Sequence, residues 1–467
     1  MGALPGLMTL GASSQLPFAR TQMAITLGVH IILVPLGVAW PAITLIADYR
    51  AIRKGDADSL RLAQRWSKVM AVTFAVGAVT GTVLSFELGL LWPRLMDRFG
   101  AAFGIPFAIE GIFFFTEAIF IAIYIYGWKR LRPWPHFWTG VPIMIAGIGG
   151  AVSVVAANSW MNQPGGFTLD KAGKVVDVDP LAVIFNRATP YESLHMIIAA
   201  YLVGGFLVAS VYAVGILKGR TDRYHRIGFL IPFTVAAIAA PAQMVVGDWA
   251  ARSVYHDQPV KFAAIEAVPR TSTHVPETLG GIYADGKVTG GIEIPDVASL
   301  LSGYSVNTRI KGFETVPARD RPPVTPVHLA WDVMVGLGTA LTALSLWFAV
   351  VWWRRRRMPN TRWFLRAAAL SGAAAIAALE SGWVVTEVGR QPWIVSGFLR
   401  TEDAVTTVGD LWISLVVVLV LYAALAATAI LVLRSMAARW RRAATEGELE
   451  EESVPYGPRP EMHEVGR

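Results

Sequence analysis

The sequence contains no cysteine. Without thiols the chain has no disulfide, no thiolate metal ligand and no cysteine nucleophile, so redox chemistry would need a cofactor held by histidine, methionine or carboxylate side chains. Charged residues are also scarce, at 16% of 467 residues, against about 25% in soluble proteins. This shortage of charge argues against an ordinary soluble domain and favours a chain that crosses a bilayer. The first 19 residues lack a basic segment, so no cleaved signal peptide is predicted.

Long apolar runs fill the composition instead. Hydrophobic residues make up 54% of the chain, and several runs exceed about 18 residues, the length that predicts a transmembrane helix. At about 1.5 Å of rise per residue, each run can cross roughly 30 Å of hydrocarbon. The sequence predicts an all-α integral membrane protein with nine transmembrane helices, near residues 20–46, 69–92, 105–127, 138–158, 191–217, 227–248, 327–353, 365–386 and 408–434.

Basic residues are concentrated in alternate connections between these runs. They follow the first, third, fifth, seventh and last helices, and the segment Arg354–Arg357 is entirely basic. Short loops rich in lysine and arginine remain in the cytoplasm, so the N-terminus is predicted to lie outside and the C-terminus inside. The topology explains the formal net charge of +7, and nucleic-acid binding is not predicted.

One connection is much longer than the others. It covers about 249–326, is polar and rich in glycine and proline, and lies outside in this topology. A loop of this length usually carries function or is disordered. The predicted organisation is transmembrane helices 1–6 in residues 1–248, an extracytoplasmic loop at 249–326, helices 7–9 in residues 327–442, and a disordered acidic cytoplasmic tail at 443–467.

Titratable side chains inside the predicted helices mark candidate sites, because a charge at bilayer depth costs at least about 2.5 kcal/mol. His30 lies on the first helix, where it either pairs with a backbone carbonyl or binds haem iron. Glu110 and Glu117 lie seven residues apart on the third helix and therefore share one face. Each carboxyl could form a helix–helix hydrogen bond, or the two could form a proton relay or bind iron.

A histidine and a methionine lie at similar predicted depth. His195 is near the outer start of the fifth helix, and Met334 is near the outer start of the seventh. A His/Met pair is typical of a low-spin, six-coordinate haem. A methionine on an apolar face, taken alone, is far more often part of the hydrophobic core.

The outer end of the eighth helix combines carboxylate, guanidinium and indole groups. Glu387, Arg390 and Trp393 follow Glu380 and Trp383 in LESGWVVTEVGRQPW. Arginine can bind a carboxylate or a haem propionate through two parallel hydrogen bonds; an ordinary interfacial ion pair is the alternative. Almost all of these candidates fall in the outer half of the predicted membrane, so a cofactor cluster beneath the long outer loop is the simplest explanation.

Two other classes of protein also bury ionisable residues. A secondary transporter does so, usually with inverted repeats or interrupted helices, and neither is evident in the sequence. A haem-b electron carrier that never binds oxygen would need His195 and Met334, but neither the acidic pair nor GRQPW. Both stay as alternative hypotheses at this point.

Several motifs, in order along the chain, resemble subunit I of the cytochrome bd quinol oxidases. GWVVTEVGRQPW is close to the family hallmark GWxxxExGRQPW, and further matches are RTQMAITLGVHIILVPLG, IPFAIEGIFFFTEAIF and VKFAAIEA. The resemblance covers most of the chain and implies two four-helix bundles plus one peripheral helix in a prokaryotic plasma membrane. It also implies an enzyme that oxidises quinol, reduces oxygen to water and generates a proton motive force without pumping.

The resemblance implies three haem cofactors. His195 and Met334 would be the axial ligands of a low-spin haem b. His30 and Glu387 would serve a haem d and a high-spin haem b, with His30 assigned to haem d. Arg390, Trp383 and Trp393 belong to the motif expected at the haem propionates.

The same resemblance implies proton and quinol sites. Glu110 and Glu117 would belong to the oxygen site and its proton path, and Lys261 and Glu266 would bind and deprotonate the quinol. The expected partners are a haem-free subunit II, with or without a small single-helix subunit, ubiquinol or menaquinol, and O2.

Three departures resemble the short-loop, cyanide-insensitive branch, in which a further haem b can replace haem d. Asp332 stands where better-known members carry arginine two residues before the axial methionine, and we expect it to lower the haem potential. The paired glutamates are seven residues apart rather than eight. The outer loop is of the short variety.

Overall fold

The computed structural model describes the backbone of residues 5–446 and the side chains of residues 14–443. Within this part of the chain, nine helices are long and apolar enough to span a membrane, which confirms the predicted number. The helices are α1 (Pro5–Lys54), α2 (Ala57–Leu91), α3 (Pro93–Gly127), α4 (Pro133–Asn162), α5 (Pro180–Ile184), α6 (Thr189–Leu217), α7 (Arg223–Asp257), α8 (Pro259–Ile265), α9 (Val297–Gly303), α10 (Val324–Arg355), α11 (Arg362–Val388), α12 (Thr401–Ala404) and α13 (Leu411–Glu446). Those that can span are α1–α4, α6, α7, α10, α11 and α13.

The spanning helices are longer than the apolar runs that predicted them. α1 continues to Lys54 and α7 to Asp257, because backbone hydrogen bonding continues after the side chains become polar. Asp56, Asp222 and Thr361 begin α2, α7 and α11 by accepting a backbone N–H in the first turn. The predicted tail at 443–467 lies outside the described residues from 447 onward, and α13 reaches Glu446.

The spanning helices pack as two neighbouring groups. α1 contacts α2 and α4, and α3 contacts α4 and α2. In the other group, α6 contacts α7 and α11, and α10 contacts α11 and α7. Fully buried phenylalanines fill the core of this second group: Phe206, Phe229, Phe233 and Phe364. α6 connects the groups through α1 and α4, and α13 lies beside α1 and α2.

Two adjacent glycines allow α6 to approach both groups. A Cβ on Gly204 would lie 2.6 Å from the Cβ of Ala39 on α1. A Cβ on Gly205 would lie 2.6 Å from the carbonyl oxygen of Pro232 on α7. Small residues permit such close backbone approach between membrane helices, so this pair fixes the position of α6 and of the polar side chains at its N-terminal end.

The connection between α7 and α10 is folded rather than structureless. It contains α8, two antiparallel strand pairs, α9 and two short 3-10 helices, Phe313–Thr315 and Ala318–Asp320. β4 (Ile282–Ala284) pairs with β5 (Lys287–Thr289), and β3 (Glu277–Leu279) pairs with β6 (Ile292–Ile294) outside them. Asp285 and Gly286 close the inner hairpin with positive φ angles of 50° and 79°, as a tight Asp-Gly turn requires.

The long connections all lie at the same end of the molecule. Residues 163–188, 258–323 and 389–410 each follow a helix that runs towards this end, which we call the loop end. The first contains β1 (Thr168–Leu169) and β2 (Val175–Val176), and the third contains β7 (Trp393–Val395) and β8 (Leu399–Arg400). The opposite helix ends are joined by turns of a few residues.

Candidate functional site

His195 faces α7 from the first turns of α6. Pro190 lies in the first turn of the helix, where its fixed φ and missing N–H are tolerated. The ring nitrogen Nε2 lies 3.0 Å from Nε2 of Gln243. Nδ1 of His195 and Oε1 of Gln243 are buried and have no hydrogen-bond partner in the described structure. Unpaired buried polar atoms are costly, so this histidine is suited to a further ligand.

Met334 lies on α10 against α11, in the same group of helices as His195. A Cβ on Gly382 would come within 3.1 Å of its sulfur. A Cβ on Gly247 would come within 3.5 Å of Cε1 of His195. Each predicted ligand therefore lies against a glycine of a neighbouring helix, which allows that helix to approach the ligand closely.

His30 shows the same arrangement between α1 and α2. A Cβ on Gly81 would lie 3.0 Å from Cε1 of His30. The Thr80 hydroxyl donates to the carbonyl oxygen of Gly77 at 3.0 Å, so it accepts the hydrogen bond from Nδ1 of His30 at 2.9 Å. That bond fixes the tautomer and leaves the lone pair on Nε2, the form that binds a metal.

Glu387 and Arg390 form a partly buried ion pair at the end of α11. Arg390 Nη2 donates to Glu387 Oε2 at 2.5 Å, and the Asn158 amide donates to Oε1. Arg390 is 6% exposed, and its Nε and Nη1 atoms have no partner in the described structure. Because arginine binds carboxylates through two N–H groups, these free groups fit a propionate.

The other two motif residues have different surroundings. Trp383 packs against the core of the second helix group. Trp393 begins β7, and the guanidinium of Arg400 lies 4.9 Å from its ring centroid. The predicted motif at the end of α11 is therefore continued by a strand rather than by the helix.

Lys261 lies on α8 and points into this ion-pair region. Its ammonium donates to Asn162 Oδ1 at 2.8 Å and faces Glu192, Arg390 and Glu387. Burial, opposed by the two carboxylates, lowers the pKa of Lys261 to about 8. A Cβ on Gly389 would lie 3.0 Å from Cγ of Lys261, so the glycine of GRQPW provides the space that this side chain occupies.

Glu266 lies on the other side of α8, away from Lys261. Residues five apart on a helix diverge by about 140°, so the structure does not bring the two predicted quinol residues together. Glu266 instead forms a hydrogen bond with Glu277 of β3, and it lies near Asp332. Burial, and then these neighbouring carboxyls, raise the pKa of Glu266 well above its ordinary value.

Glu110 and Glu117 lie along α3 as predicted. Within the described structure neither carboxyl makes a hydrogen bond to another residue. Glu117 points at α1, since a Cβ on Gly37 would be 3.8 Å from its Oε1. Glu117 therefore faces α1. Within the described residues, neither carboxyl forms the helix–helix hydrogen bond that was the alternative expectation.

Sequence reasoning missed several polar residues at the loop end. Glu192, three residues before His195 on α6, is one of them, and the buried Lys261 ammonium faces it. Glu87 is 4% exposed and accepts hydrogen bonds from Gln22 at 2.9 Å and Thr26 at 3.0 Å. Glu87 could have been found from the sequence, because it lies within the apolar run SFELGLL. A carboxyl in a membrane helix is costly, which is the argument that identified Glu110 and Glu117.

The fold and the site together define a multi-pass membrane protein with buried imidazole, thioether, carboxylate and guanidinium groups gathered towards one end of its helices. Residues 18–440 match the family model for cytochrome bd terminal oxidase subunit I. The chain belongs to the cytochrome bd terminal oxidase subunit I family. Neither a secondary transporter nor a haem-b electron carrier is supported by this match.

Individual relatives agree with the family match. The chain is 33% identical to the putative cytochrome bd menaquinol oxidase subunit I of Bacillus subtilis (strain 168), covering 90% of this chain and 95% of the relative. It is 31% identical to the cytochrome bd ubiquinol oxidase subunit 1 of the same organism, covering 89% and 92%. The bd oxidase structure from Geobacillus thermodenitrificans superposes with a TM-score of 0.85 at 34% identity, covering 91% of this chain and 98% of that one.

Proposed function

We propose that this protein is the haem-bearing catalytic subunit of a bd-type quinol:oxygen oxidoreductase in a prokaryotic plasma membrane. The proposal rests on three contacts, each between a glycine and a candidate ligand: Gly81 with His30, Gly247 with His195, and Gly382 with Met334. Glycine permits a backbone to approach a bound group closely, and a porphyrin held between helices requires such an approach. Iron bound there would supply one-electron transfer and oxygen binding.

The residues present fit three haems. His195 and Met334 would hold a low-spin haem b from α6 and α10. His30 and Glu387 would hold the two high-spin groups, a haem b and either a haem d or a further haem b. The unpaired nitrogens of Arg390 suit a propionate beside Glu387.

The quinol chemistry is assigned to the two sides of α8. Lys261, whose pKa is lowered by burial, would orient a quinol oxygen beside the Arg390 ion pair. Glu266 would accept a hydroxyl proton, and its raised pKa, caused by burial and the neighbouring carboxyls, would favour holding that proton. Glu110 and Glu117 would pass protons along α3 towards the oxygen site.

The helix packing supports two four-helix bundles, α1–α4 and α6, α7, α10 and α11, with α13 as the peripheral helix. The basic short connections favour an orientation with the loop end outside and the C-terminus in the cytoplasm. Quinol protons would then leave outside, while protons for water arrive from the cytoplasm, so charge separates without a pump. The proposed partners are a haem-free subunit II, with or without a small single-helix subunit, ubiquinol or menaquinol, and O2.

Quinol-dependent oxygen uptake by the purified complex tests this function. The wild type is expected to consume oxygen with a ubiquinol or menaquinol analogue and to form water. His195→Ala should abolish uptake because the low-spin haem loses a ligand. The matched control is His256→Ala, which removes an exposed histidine at the end of α7. A wild-type complex without uptake, or a His195→Ala complex with the wild-type rate, would contradict the proposal.

A further inference from the structure

A group of titratable residues lies outside the proposed cofactor site, on the far side of α8. Glu266 ends α8, Glu277 begins β3, and His328 and Asp332 lie one turn apart near the start of α10. Glu266 is 7% exposed and His328 is 1% exposed, whereas Glu277 is only partly buried. The group therefore extends from the buried Glu266, a proposed quinol residue, to Glu277, which is partly exposed.

The two glutamates are held together by one proton. Their carboxyl groups are hydrogen-bonded to each other. Two carboxylates have no hydrogen to share, so one of the pair must be protonated. Two negative charges on neighbouring carboxyls repel each other, which opposes ionisation of both. Burial also raises the pKa of Glu277 as well as that of Glu266.

The surrounding elements hold the pair in place. Asp332 accepts a hydrogen bond from the backbone N–H of Gly280 at 2.6 Å, which fixes the end of β3 to α10. His328 contributes Nδ1 at 2.7 Å from the carbonyl oxygen of Ile265 and Nε2 at 3.1 Å from that of Gly280. These contacts hold His328 between the end of α8 and the end of β3.

We propose that Glu277 is the proton outlet of the quinol site, taking over through the shared hydrogen bond each proton that Glu266 removes from the quinol. This inference rests on the proposed function, in which Glu266 is the proton acceptor. Among the described residues, the other charged or titratable groups that interact with the pair are Asp332 and His328 from α10.

The transfer balances for each proton. The proton of the pair first crosses the shared hydrogen bond, breaking an O–H bond on Glu266 and forming one on Glu277. The quinol O–H bond then breaks as a new O–H bond forms on Glu266, and Glu277 releases its proton to water. The pair ends with one proton, as it began. Two such transfers accompany the loss of two electrons from one quinol, and the proposed iron sites are the electron acceptor.

Glu277→Gln in the complete oxidase complex tests the outlet. The glutamine side chain can donate to Glu266 but cannot release a proton, so kcat is expected to fall at least about tenfold, within the usual range for lost acid–base catalysis. KM should stay within about twofold, and kcat should become more sensitive to D2O. The acid limb of the pH profile should move to lower pH, because Glu266 loses a neighbouring carboxyl and gains a donor.

The matched control is Glu293→Gln, which removes an exposed carboxyl from the paired strand β6 and should leave kcat and the pH profile unchanged. Oxygen uptake driven by an artificial one-electron donor to the haems should also be unchanged in Glu277→Gln. An unaltered kcat and acid limb would overturn the outlet, as would an equal loss with the artificial donor.

A second variant keeps the test valid if Glu277→Gln does not assemble. Glu277→Asp retains a carboxyl but shortens the side chain, so it should retain part of the rate with a shifted acid limb; a wild-type profile would overturn the outlet. A wild-type complex without quinol-dependent uptake would refute the proposed function itself. A normal wild type with an insensitive Glu277→Gln would refute the outlet alone.

Discussion

At the scale of single residues, the glycines opposite the candidate ligands are as informative as the ligands themselves. Imidazole and thioether side chains occur in many apolar cores, and a polar interior explains His30 or His195 equally well without iron. A glycine next to each of them lets the neighbouring helix approach more closely than any other residue would. We interpret these close approaches as part of the proposed haem sites.

Gly382→Ala tests this interpretation. The added methyl group would lie 3.1 Å from the Met334 sulfur, so the thioether must move and methionine ligation should weaken. We expect a smaller low-spin haem fraction in the visible spectrum, although Gly→Ala in a helix normally stabilises by about 0.4–1 kcal/mol. Gly336→Ala on α10, which meets nothing within 4 Å, is the control. Identical spectra for both variants would contradict the interpretation.

Residue positions were predictable where they depend on a single helix. The depth of Glu110 and Glu117 and the spacing of Glu387 and Arg390 follow from the helical period alone. The contact between Lys261 and Asn162 joins residues 99 positions apart, and nothing in either local sequence indicates it. The sequence did not predict the separation of Lys261 from Glu266. The two residues are close together in the motif, but the helical turn between them points their side chains in different directions.

At the scale of elements, α8 is the helix of the long connection that positions the residues proposed for the quinol site. Its seven residues, Pro259–Ile265, place an ammonium against the ion pair of α11 on one side. The residue that follows, Glu266, meets β3 on the other side. The sequence predicted a long outer loop and left open whether it was ordered. The strand pairs were not predicted because each has only two or three residues per strand.

Lys261→Met tests the role of α8. Methionine keeps the length and apolar stem but removes the charge, so a quinol oxygen would lose a charge-assisted hydrogen bond of about 1.5–3 kcal/mol. We expect kcat/KM for quinol to fall at least about tenfold, since about 1.4 kcal/mol corresponds to a factor of ten. Lys287→Met, an exposed lysine on β5, is the control. An unchanged kcat/KM in Lys261→Met would remove this residue from the quinol site.

At the scale of the whole molecule, the charge pattern and hydropathy were sufficient to predict the nine helices in number and order. Apolar side chains are stable in the bilayer, and backbone N–H and C=O groups there must be hydrogen-bonded within the protein. Few structures other than spanning helices meet both requirements. Which helices adjoin could not be derived from the same pattern, because close contacts such as Gly204 with Ala39 depend on shape. The resemblance of the motifs supplied the expected arrangement, which stays a proposal.

The central claim is that iron porphyrins are bound at the loop end, and a reduced-minus-oxidised visible spectrum of the purified complex measures this directly. The account predicts haem b signals in the wild type, with a far-red band if haem d is present. Met334→Leu should lose the low-spin component and keep the others, while Met244→Leu, an exposed methionine on α7, should match the wild type. A purified wild-type complex with no haem signal at all would contradict the account.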